Sequence, residues 1–239
     1  MKPLKPKIGI VSGIGPLAGA DVLHKVFQQA AQKFGAIEDA EYPDVLLVNH
    51  GVEGVDATAA LVPAFQTEIL AAVQYLEKQG ATIIGIACNT AHLYIETLQA
   101  AVGVKLLNLV DTVSEHALNT DKKYLLLTSK SSKEQQLYQN YLKKWGVTFA
   151  ETSNQQQHLL DKAIEAVMAY KPSVAGTCLD KVLASAKADG FDAVIAGCTE
   201  LPIAIGWAKN KHNVTVLDSN YVLAAALCTN YYKQLGAMQ

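Results

Sequence analysis

The 239-residue chain contains no arginine; all 20 of its strongly basic residues are lysines. That absence removes the planar guanidinium fork that grips a carboxylate with two parallel hydrogen bonds. Any anion must be met by lysine, hydroxyl, amide or backbone N–H groups. Charge of either sign is scarce at 18% of residues, and the formal net charge is −2. No basic face of the kind that binds nucleic acid is expected. No apolar run reaches the roughly 20 residues that a membrane helix needs. The lysine- and proline-rich start, Met1–Lys7, lacks the apolar stretch of a secretory signal. Only four cysteines occur, at 88, 178, 198 and 228, with no C-x-x-C pair and no disulfide-scaffold spacing. A cytoplasmic protein with reduced thiols is expected. The six histidines form no H-x-x-x-H pair, so no metal site is expected.

What is present is apolar residue, at 50% of the chain. It suffices for one large domain or for two lobes of about 100–120 residues. Short β-branched runs alternate with longer helical patterns. Strands are expected at Ile8–Val11, Val45–Val48, Thr82–Ile86, Lys105–Leu107, Tyr124–Leu127, Ala193–Ala196 and Val214–Leu217. Helices are expected at Ala18–Phe34, Ala60–Gln79, Ala91–Val102, Ser132–Trp145, Gln155–Tyr170, Ser173–Ala188 and Tyr221–Leu235. The strand runs are continuously apolar, as in strands covered on both faces, and the alternation implies βαβ units with mainly parallel sheets.

The sequence also echoes itself. Ala81–Ile95 reads ATIIGIACNTAHLYI, and Phe191–Ile205 reads FDAVIAGCTELPIAI. Each is a buried strand, a small residue, a cysteine, a threonine one or two places on, and an apolar helix. The two cysteines lie 110 residues apart. This spacing suggests two similar α/β lobes, each a mainly parallel sheet flanked by helices. The expected division is 1–109 and 110–218, the last helix, 219–239, packing back on the first lobe. Each cysteine would stand just past the carboxyl end of a strand, where open α/β sheets bind ligands.

A cysteine between a strand and a helix meets the helix's positive end and free backbone N–H groups, which favour thiolate. From its ordinary pKa of about 8.5, a thiol needs only a modest depression to serve as a base near neutrality. Two thiols on opposite faces of one substrate carbon suit stereochemical inversion, since one removes the proton and the other delivers it. Cys88 and Cys198 are the candidates. Cys178 and Cys228 fall within helical patterns and are expected to be packing residues. Asn89 and Thr90 follow Cys88 and could cap its helix or donate to a substrate carboxylate. The opening Gly9-Ile10-Val11-Ser12-Gly13-Ile14-Gly15-Pro16 is a strand, a glycine-rich turn and a helix start, able to hold an anion on N–H groups and Ser12. It has neither the dinucleotide register nor a P-loop lysine.

The segments GIVSGIGPLAG, CNT at Cys88–Thr90 and GCTELP at Gly197–Pro202 resemble the aspartate/glutamate racemase family, in its aspartate racemase-like branch. The resemblance implies a pseudo-symmetric two-lobed α/β fold with the active site between the lobes, and an amino-acid racemase that needs no pyridoxal phosphate or other cofactor, is usually a homodimer, and acts first of all on aspartate or another acidic amino acid. It assigns the paired acid and base to Cys88 and Cys198. It assigns substrate contacts to Ser12, Thr58, Asn89, Thr90, Lys171 and Thr199. One departure stands out: where the family carries an arginine in a Pro-Asp-Arg-Thr-like segment, this chain reads Val55-Asp56-Ala57-Thr58. His50 is a candidate polar substitute, and His92 and Glu200 could tune their neighbouring cysteines. A cysteine-dependent isomerase or decarboxylase of small diacids, or a small-ligand binding protein without turnover, are the other readings.

Overall fold

The structure, a computed structural model, describes residues 5–52, 63–120 and 122–237. The chain divides into two compact units, one running to Leu109 and resuming at Asn220, the other spanning Val110–Ser219.

In the first unit the strands are β1 (Lys7–Ser12), β2 (Asp44–Asn49), β3 (Ile83–Ile86) and β4 (Lys105–Leu106). They form a parallel sheet in the order β2-β1-β3-β4. Helices α1 (Pro16–Phe34), α2 (Pro63–Lys78) and α3 (Ile95–Ala100) supply the crossovers. β3 is buried at every position, which a parallel strand covered on both faces requires. α2 shows why its sequence makes a helix: Phe65, Ile69, Ala72, Val73 and Leu76 recur at helical spacing and bury one stripe against β1 and β3. The last helix, α10 (Ser219–Gly236), packs in this unit too. A Cβ added at Gly85 of β3 would lie 2.9 Å from the Leu223 side chain, so glycine lets α10 approach the sheet closely.

The second unit repeats the plan. β5 (Tyr124–Leu127), β6 (Phe149–Glu151), β7 (Ala193–Ala196) and β8 (Thr215–Asp218) form a parallel sheet in the order β6-β5-β7-β8. Around it lie α4 (Leu109–Leu118), which starts at the junction of the units, α5 (Lys130–Glu134), α6 (Leu137–Trp145), α7 (Asn154–Met168), α8 (Pro172–Ala188) and α9 (Glu200–Trp207). The α/β class with parallel sheets flanked by helices is therefore what the alternating pattern implied, although the second sheet has one strand more than expected.

Several elements differ from the sequence expectation. The single helix over Ser132–Trp145 is two, because Gln136 adopts φ 53° and breaks the ladder between α5 and α6. The helix expected from Ala91 opens as a 3₁₀ turn, Thr90–Tyr94, before α3. β6 and α4 were absent from the expectation altogether. The start of the helix expected at Ala60 lies outside the described residues, as do Ala57 and Thr58. No described helix is long and apolar enough to cross a membrane.

Candidate active site

In each sheet the chain order reverses between the first and third strands of the unit. The crevice outside the carboxyl ends of the strands at such a reversal is where ligands bind in open α/β sheets. Both cysteines fall there. In the first unit Val11 pairs with Ile86, and the next N–H, that of Ala87, donates to the Val11 carbonyl at 2.8 Å. In the second unit Leu127 pairs with Ala196, and the Gly197 N–H donates to the Leu127 carbonyl, also at 2.8 Å. Cys88 and Cys198 follow at once. The two sites are equivalent residue by residue: Ser12 matches Thr128, Ala87 matches Gly197, and Cys88 matches Cys198. Neither thiol is in a disulfide and both are buried, at 7% and 9% exposure, so each is shielded but not sealed.

Beyond the thiols the two sites differ. Cys198 Sγ donates to the Glu200 carboxylate at 3.1 Å, and the Thr199 hydroxyl donates to the same oxygen at 3.2 Å. Glu200 is buried, and burial lifts its carboxyl above the usual carboxylate range, with the bonds from Cys198, its own N–H and Thr199 opposing that rise. Tyr138 of α6 is wholly buried beside the same cysteine. A Cβ at Gly197 would lie 2.8 Å from its Cε2, so only glycine leaves room for the ring. Burial first, and then the charge Cys198 would carry, push the phenol's pKa well up, so Tyr138 stays protonated. Thr199 sits at the N-cap of α9, but its hydroxyl serves Glu200 and not the helix.

Around Cys88 the partner is a histidine. The His92 ring contacts backbone carbonyls, with Nδ1 2.9 Å from the Cys88 oxygen. Asn89 holds the N-cap position of the 3₁₀ turn without a side-chain capping bond, so the expected cap is not made; its side chain is buried, and Thr90 is half-buried. A 3₁₀ turn and not an α-helix follows Cys88, so the α-helix dipole expected to favour thiolate there is not in place directly behind it.

The glycine-rich turn is built tightly around Ser12. The Ser12 hydroxyl donates to Asn49 Oδ1 at 3.1 Å, and a Cβ at Gly19 would lie 2.0 Å from Ser12 Oγ. Gly13 (φ 101°) lies under the His50 backbone, where a Cβ would meet the His50 carbonyl at 2.0 Å. His50 itself is exposed and pairs with Glu68 at 3.2 Å. Lys171 is exposed and occupies the N-cap of α8, its N–H donating to the Ala166 carbonyl at 2.7 Å. α8 leads into β7 from the opposite direction, so its start lies at the carboxyl-end side of that sheet. Lys171 and Cys198 thus share one end of their unit.

Two groups escaped the sequence reading. Ser131 and Ser132, just beyond β5, bury hydroxyls that have no hydrogen-bond partner among the described residues. Unpaired buried hydroxyls call for an explanation, and this pair lies at the same sheet end as Cys198. Their position after β5 matches the glycine turn after β1, which was the available signal. Tyr138 could have been found only from the α6 fold-back over Gly197.

Comparison with known proteins places these features in context. Residues 11–227 match the sequence profile described as Asp/Glu/Hydantoin racemase. The broad specificity amino-acid racemase RacX of Bacillus subtilis is 25% identical over 224 residues, which is 94% of this chain and 97% of RacX. Among solved structures, the aspartate racemase of Picrophilus torridus superposes with a TM-score of 0.81 at 25% identity, covering 95% of this chain and 94% of that one. An aspartate racemase homologue from Pyrococcus horikoshii gives 0.75 at 25% identity, covering 97% and 100%.

Proposed function

Because the chain belongs to the Asp/Glu/Hydantoin racemase family, and so to a family of amino-acid isomerases, we propose that it racemises an amino acid by exchanging the α-proton between Cys88 and Cys198. The observation that carries this reading is the duplicated geometry: each unit sets one buried thiol, outside any disulfide, at the switch point of its sheet, in the same hydrogen-bond register. In one direction a thiolate breaks the α C–H bond and takes the proton, the electron pair staying on the substrate as a carbanion delocalised into its carboxylate. The other cysteine's S–H then breaks and delivers a proton to the opposite face. The products are the other enantiomer and a thiol–thiolate pair with the roles exchanged. N–H groups of the strand-end turns, with Ser12, Asn89, Thr90 and Thr199, stabilise the charge that develops on the carboxylate.

The substrate is an amino acid, and aspartate and glutamate come first, as the names of the relatives suggest. With no arginine in the chain, Lys171 and hydroxyl groups are left to meet a second carboxylate. RacX's broad specificity makes a panel the right test. Purified protein, without added pyridoxal phosphate, is expected to exchange the α-proton of at least one amino acid with deuterated solvent in a screen of both enantiomers. A screen with no exchange in any member would contradict the proposal, and saturable binding without exchange would favour a binding protein.

A further inference from the structure

His92 is fully buried, yet every partner of its imidazole is an acceptor. Nδ1 lies 2.9 Å from the Cys88 carbonyl and 3.2 Å from that of Asn89, and Nε2 lies 3.3 Å from the Leu107 carbonyl. A neutral imidazole has one N–H to donate, so one ring nitrogen faces a carbonyl without a proton between them. Such an arrangement is not what packing alone selects, since an apolar side chain of similar size would fill the space without the conflict. With that N–H on Nδ1, which makes the shorter contacts, the ring bonds the carbonyls of the turn that carries the thiol. Leu107 follows β4 and is anchored to the sheet through its own N–H on the Ile84 carbonyl at 2.9 Å. Cys88 and Asn89 form the turn leaving β3. The ring therefore bonds the turn that carries the thiol and packs, without a second bond, against the end of β4.

We propose that His92 is the positioning residue of Cys88, its ring N–H bonded to the Cys88 and Asn89 carbonyls so that the N–H groups of this turn remain disposed to stabilise the thiolate. It acts through the backbone. The counterpart in the second unit differs in kind, for Glu200 engages the Cys198 thiol directly. The assignment of Cys88 as a base rests on the reading above; the holding role does not depend on turnover.

The test is alkylation by iodoacetamide at pH 7, with the four cysteines followed separately by peptide mass spectrometry. In His92→Leu, which donates nothing, Cys88 is expected to slow about tenfold, the change that one unit of thiol pKa produces. Cys198 should keep the parental rate. Buried Cys178 and Cys228 report on folding, since unfolding would open all four thiols. In His92→Gln, whose amide can still donate to a backbone carbonyl, Cys88 is expected to react near the parental rate. Where turnover is measured, the Leu variant should lower kcat with little change in KM, and the Gln variant should restore it. A folded His92→Leu protein with parental Cys88 reactivity, or equal slowing at Cys88 and Cys198, would overturn the proposal. Should His92→Leu open all four thiols, His92→Gln decides: parental Cys88 reactivity upholds the donated bond, and its loss overturns it. A parent protein that fails to racemise removes Cys88's role as a base, while the alkylation pattern still judges His92.

Discussion

Cys88→Ser and Cys198→Ser are each expected to lower racemisation about a thousandfold, in both directions, within the range of a lost proton-transfer group. A serine hydroxyl is far less acidic than a thiol, so it neither forms the anion that removes the α-proton nor gives a proton up readily. The two losses will not add. Both groups serve one cycle, so the double variant should be about as slow as either single one, as for residues that act as a unit. Initial rates from each pure enantiomer, followed by chiral chromatography, provide the measurement. Cys178→Ser and Cys228→Ser are the controls. Cys178 lies within α8, and Cys228 lies within α10, its thiol on the Val26 carbonyl at 3.2 Å and its pKa pushed up to about 12 by burial. Neither is expected to change the rate by more than about threefold beyond any effect on folding, because neither is at a strand end. Parental activity in either Cys88→Ser or Cys198→Ser would remove that residue from the chemistry.

Glu200→Gln is expected to separate stability from activity. Burial raises the Glu200 carboxyl above its unfolded pKa, so the folded state holds this proton more tightly than the unfolded chain does. Its contribution to stability is therefore present below the unfolded pKa and lost as pH rises through the folded value. At neutral pH burial of this ionisable group opposes folding. The amide carries no charge, so Glu200→Gln should raise Tm by about 2–4 °C at pH 7, which corresponds to about 1 kcal/mol in a chain of this size. The gain should shrink toward zero as pH falls below the ordinary carboxylate range. Activity should move the other way. The Glu200 side chain is the acceptor that holds the Cys198 S–H, and an amide oxygen holds it more weakly, so kcat is expected to fall about a hundredfold. Thermal unfolding at pH 4 and pH 7, with kcat beside it, reads both effects. A variant less stable than the parent at pH 7, or as active, would contradict this role.

How far the sequence could be read depended on what marks each element. β1, β3, β5 and β7 are apolar and buried, and their runs are plain in the sequence. β6 is three residues long, pairs on one side only and is half-exposed, so Phe149–Glu151 offers neither a run nor an alternation. α4 could have been found, since Leu109, Val110, Val113 and Ala117 are buried at helical spacing. Its position at the junction of the units invited reading it as a boundary instead. The break in Ser132–Trp145 turns on one residue, Gln136, whose positive φ no local signal announces.

The strand ends bearing Cys88 and Cys198 were legible for the same reason the strands were: the echo is local. Contacts made across the fold were not. The Glu200 carboxylate lies two residues from Cys198 and was within reach of the sequence, whereas Tyr138 arrives from α6, sixty residues away. His92 was noted as a neighbour of Cys88, but its approach to the Leu107 carbonyl depends on where β4 ends. Ser131 and Ser132 became visible only once β5 proved to match β1.

The account rests on two thiols sharing one proton transfer, and the isotope pattern of the first turnovers in deuterated water tests that most directly. If Cys88 and Cys198 serve as separate bases, the enantiomer formed from either pure starting enantiomer carries deuterium at the α-carbon, while the unconverted starting material remains protiated at early times. Product that retains the original hydrogen, returned by a single base, would contradict it.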